Sequence, residues 1–304
     1  MMADLSVEFA GIRFRNPVLL ASGTCGYGQE LQPLADLSRI GGLVSKTITP
    51  EARAGNKPPR VVETPAGMLN SIGLQNPGLE GFIREKWPFL AGLDTQVVVN
   101  IAAPTAGQHG EMAARLDALP GIAGLEINIS SPNMKDGGML FGCNPRAAAE
   151  VIGAVRRATR LPVIAKLTPN VTDIAAVARA VEASGADGIS LINTLLGMAI
   201  DVERRRPVLG NITGGLSGPA IKPVALAMVW KVRQAVRLPL MGLGGISTAV
   251  DALEFILAGA TVVQVGTATF FNPGAAVEIV EGLAAHCAAH GIERLATLVG
   301  ALKV

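Results

Sequence analysis

The segment PVIAKLTPNVTDIAAVARAVEASGADGISLINT, residues 162–194, contains the unit that decides the fold. Residues 162–168 form a short apolar run, the following stretch has the 3.6-residue periodicity of a helix, and residues 188–194 form a second apolar run. A strand, a helix and a second strand in this order indicate a βαβ unit with two parallel strands. Both runs are apolar almost throughout, which is typical of strands covered on both faces.

The same alternation recurs along the whole chain of 304 residues. Eight apolar runs are each followed by a segment with helical periodicity. The runs comprise residues 18–22, 41–47, 95–102, 124–130, 162–168, 188–194, 239–245 and 262–268. Eight such units in this length favour an α/β fold of the TIM (β/α)8 barrel type, in a single domain spanning residues 1–304. A doubly wound open sheet is the main alternative, because a count of strands does not show whether the sheet closes.

Three further features are predicted from the segments around these units. The opening SVEFAGIRFRNP, residues 6–17, alternates around a glycine turn and predicts an N-terminal β-hairpin that closes the bottom of the barrel. Insertions of residues 50–94 after the second strand and 195–216 after the sixth interrupt the regular spacing, and long loops in compact domains are often functional. Helix starts are predicted at Asn144-Pro145, Ser217-Gly218-Pro219 and Asn272-Pro273.

The composition excludes several classes of protein. Hydrophobic residues make up 49% and charged residues 16%, so the chain can bury a core and is not disordered. Aromatic residues at 4% and a net charge of +2 argue against nucleic acid as a partner. Three cysteines without CxxC spacing exclude a disulfide framework and an iron–sulfur or zinc site built by this chain alone, and no metal site is predicted. No signal peptide or membrane-spanning stretch is recognisable, so we expect a cytoplasmic protein with no membrane contact.

Polar residues and glycines collect at the ends of the predicted strands. In chain order they are Ser22, Lys46, Thr47, Asn100, Asn128, Ser130, Lys166, Asn193, Thr194, Gly244, Gly245, Gly266 and Thr267. The two lysines are the most informative, since an ammonium group at the end of an apolar strand is costly to bury without an anion beside it. Each lysine alone could simply pair with a carboxylate at the barrel rim. Two lysines and three asparagines together indicate a ligand site.

Glycines followed by a small hydroxyl residue mark the last two strand ends, in GLGGIS (242–247) and QVGTATF (264–270). In barrels the loops after strands seven and eight commonly bind phosphate through backbone N–H groups. The plainer interpretation is that these glycines only allow tight turns. No GxGxxG follows the first strand and no Walker A motif occurs, so neither a Rossmann dinucleotide site nor a P-loop is predicted.

Several long motifs resemble those of the FMN-dependent dihydroorotate dehydrogenases of pyrimidine biosynthesis. They are SKTITPEARAGNKPPRVVETPAGMLNSIGLQNPG (45–78), NISSPN with the following KDGG (128–138), IAKLTPNVTDI (164–174), INT (192–194), GGLSGPAIKP (214–223), GLGGIS and QVGTA. The match covers nearly the whole chain and is most similar to the NAD-linked class 1B catalytic subunit. The resemblance implies oxidation of dihydroorotate to orotate with FMN as cofactor. It also implies a partner subunit carrying FAD and a [2Fe-2S] cluster, and a homodimer within a heterotetramer.

The resemblance assigns roles to individual residues. FMN would be held by Ser22, Lys46, Thr47, Asn100, Asn128, Lys166, Ile192, Gly218, Gly244, Gly245, Gly266 and Thr267, the last four chiefly at its phosphate. Substrate would be held by Lys46, Asn70, Ser71, Ile72, Gly73, Leu74, Asn128, Asn133, Asn193 and Thr194. Lys166 would stabilise negative charge on the reduced flavin and so take part in catalysis.

The resemblance also places Ser131 at the catalytic base, where class 1 members of the family have a cysteine. A cysteine thiol has a reference pKa of about 8.5, whereas an alkyl hydroxyl gives up its proton far less readily and needs a relay. Membrane-linked class 2 members do use serine. Three interpretations stay open: Ser131 is a natural base, it is an introduced replacement of cysteine, or Cys143 has taken over the role.

Two alternative functions also stay open. One is a flavin barrel of the dihydropyrimidine dehydrogenase type, acting on uracil or thymine. Lys46 argues against it, because a cation beside the substrate would complement the carboxylate of orotate, which uracil lacks. The other is a catalytically silent FMN electron carrier, and the serine at position 131 is the feature that keeps it open.

Overall fold

The structure is a computed structural model that describes residues 3–129 and 141–303. Its centre is a closed barrel of eight parallel strands, in which each strand pairs with its neighbours along the chain and the last pairs with the first. The strands are β1 (Val18–Leu20), β2 (Gly42–Val44), β3 (Gln96–Ile101), β4 (Gly124–Asn128), β5 (Val163–Leu167), β6 (Gly188–Leu191), β7 (Leu240–Leu243) and β8 (Ala260–Val265). The closure confirms the predicted TIM barrel and rules out the doubly wound open sheet.

Helices surround the barrel. In the described residues the α-helices are Gly78–Gly81, Trp87–Ala91, Ala106–Asp117, Pro145–Ala158, Ile174–Ala183, Lys222–Ala235, Ala249–Leu257, Ala268–Phe271 and Ala275–Ala289. A π-helix, Phe82–Lys86, joins the first two, and 3-10 helices span Leu37–Arg39, Phe141–Cys143, Pro219–Ile221 and Leu295–Leu298. Within 3–129 and 141–303, none of the helices has the length and apolar character needed to cross a bilayer.

Of the three predicted helix starts, one is confirmed and two helices begin a few residues later. The Asn144 side chain accepts hydrogen bonds from two backbone N–H groups of the following turn, and so it caps the helix as predicted. Pro219 opens a 3-10 turn, and the α-helix itself begins at Lys222. Asn272 instead ends the preceding short helix, and the next helix begins at Ala275.

The segment after β1 lacks the helix that the alternation predicts. Residues 22–36 form a succession of turns that leads to the 3-10 helix Leu37–Arg39. Gly23 and Gly28 have φ angles of +91° and +84°, whereas an α-helix needs φ near −63°. The glycine conformations therefore prevent the helix that the apolar spacing predicts.

The N-terminal hairpin closes the lower end of the barrel, as predicted. Val7–Phe9 pairs antiparallel with Ile12–Phe14. The rings of Phe9 and Phe14 are fully buried. They belong to one apolar cluster with the strand residues Leu19, Val44, Val98, Ile164, Met241 and Val262. Burying each ring stabilises the fold by roughly 1.5–3 kcal/mol.

The interior of the barrel changes from apolar to polar toward the C-terminal ends of the strands. Side chains two residues apart in a strand face the same side. On three strands, an apolar residue that packs in the cluster with Phe9 and Phe14 is followed two residues later by a polar residue. The pairs are Val98 and Asn100, Ile164 and Lys166, and Val262 and Gln264. The upper layer of the interior is therefore polar.

The two insertions combine into a second, antiparallel sheet that sequence analysis did not predict. Its strand order is Leu195–Met198, Thr213–Ser217, Gly67–Asn70 and Val61–Thr64. Two strands come from the insertion after β6 and two from the insertion after β2, and the two halves meet where Gly215 pairs with Asn70. Since both insertions follow strand ends, this insertion sheet stands at the C-terminal end of the barrel.

Candidate active site

A cavity of about 220 Å³ lies at the C-terminal end of the barrel, with walls from the strand ends and from the insertion sheet. Most of the predicted site residues line it. They are Ser22, Lys46, Thr47, Asn70, Ile72, Gly73, Leu74, Asn100, Asn128, Lys166, Ile192, Asn193, Thr194, Gly218, Gly244, Gly245, Gly266 and Thr267. Barrel closure thus gathers in one place residues that are up to 245 positions apart in the chain.

Ser71 is the predicted substrate residue within the described part of the chain that does not line the cavity. Ser71 is fully buried behind the wall, because it follows Asn70 in an extended segment and faces the other side. Its N–H donates to the carbonyl of Arg60 at 2.7 Å, and its carbonyl accepts from Asn56 at 2.9 Å. Ser131 and Asn133, like the neighbouring Ser130, lie outside the described residues.

The floor of the cavity rests on a buried carboxylate that sequence analysis missed. Glu126, in β4, is fully buried, and its Oε2 lies 3.1 Å from Lys166 Nζ. The same oxygen accepts from Asn100 Nδ2 at 2.5 Å, and Oε1 accepts from Gln264 Nε2 at 2.8 Å. The three donors line the cavity, whereas Glu126 lies directly behind them. Lys166 therefore does pair with a carboxylate, which is the plainer of the two interpretations of that lysine.

A sequence signal for Glu126 exists. The segment GLEI reads as an apolar run, but Glu126 precedes Asn128 by two residues and must share its side of the strand. Glutamate is almost never fully buried without a partner, so one was to be expected nearby. The sequence gives no means of identifying that partner as Lys166 on the next strand.

The charges of this cluster leave the cavity cationic. Burial alone would raise the pKa of Glu126, but the Lys166 ammonium and the hydrogen bond from Gln264 lower it, so the carboxylate is ionised at neutral pH. Burial lowers the pKa of Lys46, and the charge of Lys166 lowers it further. The Lys46 ammonium group makes no hydrogen bond or ion pair within the described part of the chain. Two ammonium groups against one carboxylate give a net charge of +1, which suits an anionic ligand.

Two buried acceptors on the floor lack a donor. Asn100 Oδ1 and Gln264 Oε1 accept no hydrogen bond from any described residue, although both side chains line the cavity. Leaving a buried acceptor unpaired costs about 1–3 kcal/mol. A ligand with N–H donors would therefore fit this floor.

The ends of β7 and β8 present unpaired backbone N–H groups. Six backbone N–H groups of cavity residues donate to no acceptor in the part of the chain that the structure describes. They belong to Gly244, Gly245, Ile246, Gly266, Thr267 and Ala268. The next N–H, that of Ser247, is already used by Asp251 at 2.9 Å. Clustered free N–H groups at this place in a barrel are the usual means of binding phosphate.

Amide and hydroxyl side chains line the rest of the cavity. Asn193 Nδ2 donates to Asn128 Oδ1 at 3.5 Å, and Thr267 Oγ1 donates to Ser217 Oγ at 2.8 Å. Asn70 Nδ2 donates to the carbonyl of Gly215 at 3.3 Å, which ties it to the insertion sheet. Each asparagine offers both a donor and an acceptor, which suits a ring with alternating carbonyl and N–H groups. Ser217 and Gly215 were not predicted, because only the pairing of the two insertions brings them here.

Two reactive side chains lie away from the cavity. The thiol of Cys143 is 3.6 Å from the carbonyl of Asn170, and partial burial raises its pKa. Cys143 does not line the cavity, and the third interpretation of position 131 stays a prediction. His109 is fully buried, and its Nε2 accepts from the Ala103 N–H at 3.0 Å. Burial lowers the pKa of His109 to about 4, so it is neutral and structural.

Known proteins resemble this chain over its whole length. The family model described as Dihydroorotate dehydrogenase matches residues 4–286. A protein of Geotalea daltonii is 58% identical over 301 residues, 99% of both chains, and one of Pelobacter propionicus is 56% identical over 303 residues, 100% of both. Both are named dihydroorotate dehydrogenase B (NAD(+)), catalytic subunit. A crystal structure of DHODH in complex with ferulenol from Eimeria tenella has the same fold, with a TM-score of 0.81 at 24% identity over 98% of this chain and 88% of that one. This chain therefore belongs to the dihydroorotate dehydrogenase family.

Proposed function

We propose that this protein oxidises dihydroorotate to orotate in pyrimidine biosynthesis, with FMN as its cofactor, as the catalytic subunit of an NAD-linked enzyme. The observation that carries the proposal is the cavity itself. It is cationic and lined with amides, and at the ends of β7 and β8 it offers six backbone N–H groups that no described residue accepts from. The two relatives described above are named as catalytic subunits of an NAD(+) enzyme, which supports the same assignment.

The residues of the cavity fit FMN. The free N–H groups from Gly244 to Ile246 and from Gly266 to Ala268 would bind its phosphate. The unpaired oxygens of Asn100 and Gln264 would accept from donors on its ring system. Lys166 would stabilise the negative charge that the ring gains on reduction. FMN, when bound, would supply the acceptor for the hydride of the substrate.

The remaining polar residues fit dihydroorotate. Lys46, which has no ion-pair partner in the described residues, would face the substrate carboxylate. Asn70, Asn128 and Asn193 would bind the carbonyl and N–H groups of the ring. The insertion sheet would cover the substrate and limit the access of water.

Ser131 is the proposed base. The reaction removes a proton from one ring carbon and a hydride from its neighbour, so a proton acceptor has to be positioned at the first carbon. Since a serine hydroxyl is a poor acceptor, a relay has to carry its proton away. We expect Ser131→Cys to keep or raise the rate of flavin reduction by dihydroorotate at pH 7 in stopped-flow measurements. A large fall in that rate would mean that the site requires a hydroxyl.

The proposal includes a partner subunit with FAD and a [2Fe-2S] cluster, and a homodimer within a heterotetramer. The chain has no GxGxxG after its first strand, and its three cysteines lack the spacing of an iron–sulfur site. Electrons bound for NAD would therefore have to leave through another chain. Reduction of NAD by dihydroorotate is expected only after that subunit is added.

Anaerobic mixing of the purified, FMN-loaded protein with reductants tests the proposal. Rapid bleaching of the flavin by dihydroorotate is the expected result. Bleaching by dihydrouracil alone would indicate an enzyme of the dihydropyrimidine dehydrogenase type. Bleaching by dithionite but by neither substrate would indicate a silent electron carrier, and a protein that binds no FMN would overturn the proposal altogether.

A further inference from the structure

We infer that Glu126 is a positioning residue that fixes the polar floor of the cavity and moderates the positive field that Lys166 exerts on the cofactor. This inference rests on the proposed function, because it concerns how the same cavity holds a flavin. Glu126 itself does not line the cavity, so it would act only through the side chains in front of it.

The geometry supports a positioning role. One carboxylate binds three cavity residues from three other strands, Asn100 from β3, Lys166 from β5 and Gln264 from β8. Glu126 is fully buried and Lys166 is 5% exposed, so solvent cannot substitute for the carboxylate. Each bond also fixes which group its partner turns to the cavity. With the amide nitrogens turned to Glu126, Asn100 Oδ1 and Gln264 Oε1 accept no hydrogen bond from a described residue and are left for a ligand.

The charges support a moderating role. With Glu126 ionised, the two lysines and the carboxylate carry a net charge of +1, and without it they would carry +2. A cation beside the cofactor favours its reduced, more negative form. An enzyme that takes electrons from its substrate and then passes them on cannot hold the reduced form too tightly. Glu126 would offset part of the pull of Lys166 and so keep the second step possible.

The test is the midpoint potential of bound FMN in Glu126→Gln, measured at pH 6. We expect the affinity for reduced FMN, relative to oxidised FMN, to rise at least tenfold, which for a two-electron couple is an increase of about 30 mV. Asp94→Asn is the matched control. It also removes one carboxylate charge, but from an exposed ion pair with Arg15, and it should leave the potential unchanged.

Glu126→Asp separates position from charge. Aspartate keeps the negative charge but is one methylene shorter, so it cannot reach Asn100, Lys166 and Gln264 together. We expect a midpoint potential close to that of the wild type and a rate of flavin reduction by dihydroorotate about tenfold lower. If Glu126→Gln fails to retain FMN, this variant still tests the positioning role.

Results for the wild-type protein test the proposed function, and results for the Glu126 variants test the role of Glu126 separately. A wild-type protein without FMN, or with FMN that dihydroorotate does not reduce, would remove the proposed function. A wild-type protein that behaves as proposed, together with an unchanged or lowered potential in Glu126→Gln, would overturn the moderating role. A wild-type reduction rate in Glu126→Asp would overturn the positioning role. A carboxylate needed only for folding would lower the stability of both variants without shifting the potential.

Discussion

Lys166 and Glu126 form an ion pair in the barrel interior, where each charge is shielded from water. Removing two charges from water costs several kcal/mol per ion, and the attraction between them offsets this cost only with good geometry and additional hydrogen bonds. The 3.1 Å separation supplies the geometry, and Asn100 and Gln264 supply the additional bonds. The pair is therefore stable only as a unit, and the loss of either member should cost more than the loss of both.

The stability of the cofactor-free protein tests this coupling. Lys166→Met alone would leave the carboxylate buried without its cation and should lower the free energy of unfolding by about 3–5 kcal/mol. Adding Glu126→Gln to that variant should restore most of the loss, because no buried charge then remains. Urea denaturation at pH 7 of the wild type, both single variants and the double variant measures the coupling. Additive losses would mean that the two side chains do not interact.

His109 should make the stability depend on pH between about 4 and 6.5. Its folded-state pKa of about 4 lies below the unfolded value of 6.5, so the unfolded chain binds more protons in this range. The contribution of neutral His109 is complete above pH 6.5 and is lost as the pH falls. From pH 7 to pH 5 the loss should be about 2 kcal/mol. Chemical denaturation at both values should show this difference reduced in His109→Gln, and an equal pH dependence in the two proteins would contradict the assignment.

Among the elements of the fold, the insertion sheet forms one wall of the cavity. The strands Thr213–Ser217 and Gly67–Asn70 come from different insertions, and their pairing places Asn70 in the cavity wall. A Cβ on Gly214 would lie 2.6 Å from the carbonyl oxygen of Asn70, far closer than van der Waals contact allows. The absence of a side chain at position 214 is therefore a condition for the pairing of the two insertions.

Gly214→Ala should weaken substrate binding and spare the cofactor. The added methyl group would force the two strands apart and displace Asn70, whereas the N–H groups at the ends of β7 and β8 would stay in place. We expect the Kd of orotate to rise about tenfold, a loss of about 1.4 kcal/mol, with unchanged FMN content. Gly107→Ala is the control, since its Cβ would meet no atom closer than 3.9 Å. Unchanged orotate binding in a spectral titration would show that the sheet does not form the substrate side.

In the molecule as a whole, the cavity lies between strand ends from the beginning and from the end of the chain. The β7 and β8 ends carry the N–H groups without an acceptor among residues 3–129 and 141–303, and Lys46 and Asn100 lie on the other side of the closure, after β2 and in β3. A ligand that binds both groups would connect parts of the barrel that unfold together. Its binding free energy would then add to the stability of the whole fold.

FMN should therefore stabilise the apo-protein more than riboflavin does. At a free FMN concentration of 100 times Kd, the free energy of unfolding should rise by about 2.7 kcal/mol. Riboflavin at the same concentration should have a much smaller effect, because it lacks the phosphate for the N–H groups of Gly244 to Ile246 and Gly266 to Ala268. Thermal denaturation with each ligand measures the difference. An equal shift for both would mean that these groups do not bind phosphate.

The βα repeat, the N-terminal hairpin, the two insertions and most of the residues that line the cavity could be predicted from the amino-acid sequence. These features depend on short-range patterns, because an apolar run followed by Lys166 or by Gly244-Gly245 marks a strand end without knowledge of its neighbours. The motifs along the chain also sufficed to indicate the family. The single-domain assignment of residues 1–304 stays a prediction, as do the roles of Ser131 and Asn133.

Which side chains become partners depends on the three-dimensional fold. Lys166 meets Glu126 because β4 and β5 are adjacent in the barrel, and Gln264 joins them because closure brings β8 to the same interior. The insertion sheet likewise exists only because the two insertions start from the same end of the barrel. A local pattern fixes the side of a strand on which a side chain lies, but the choice of its partner depends on contacts between residues 40 to 138 positions apart.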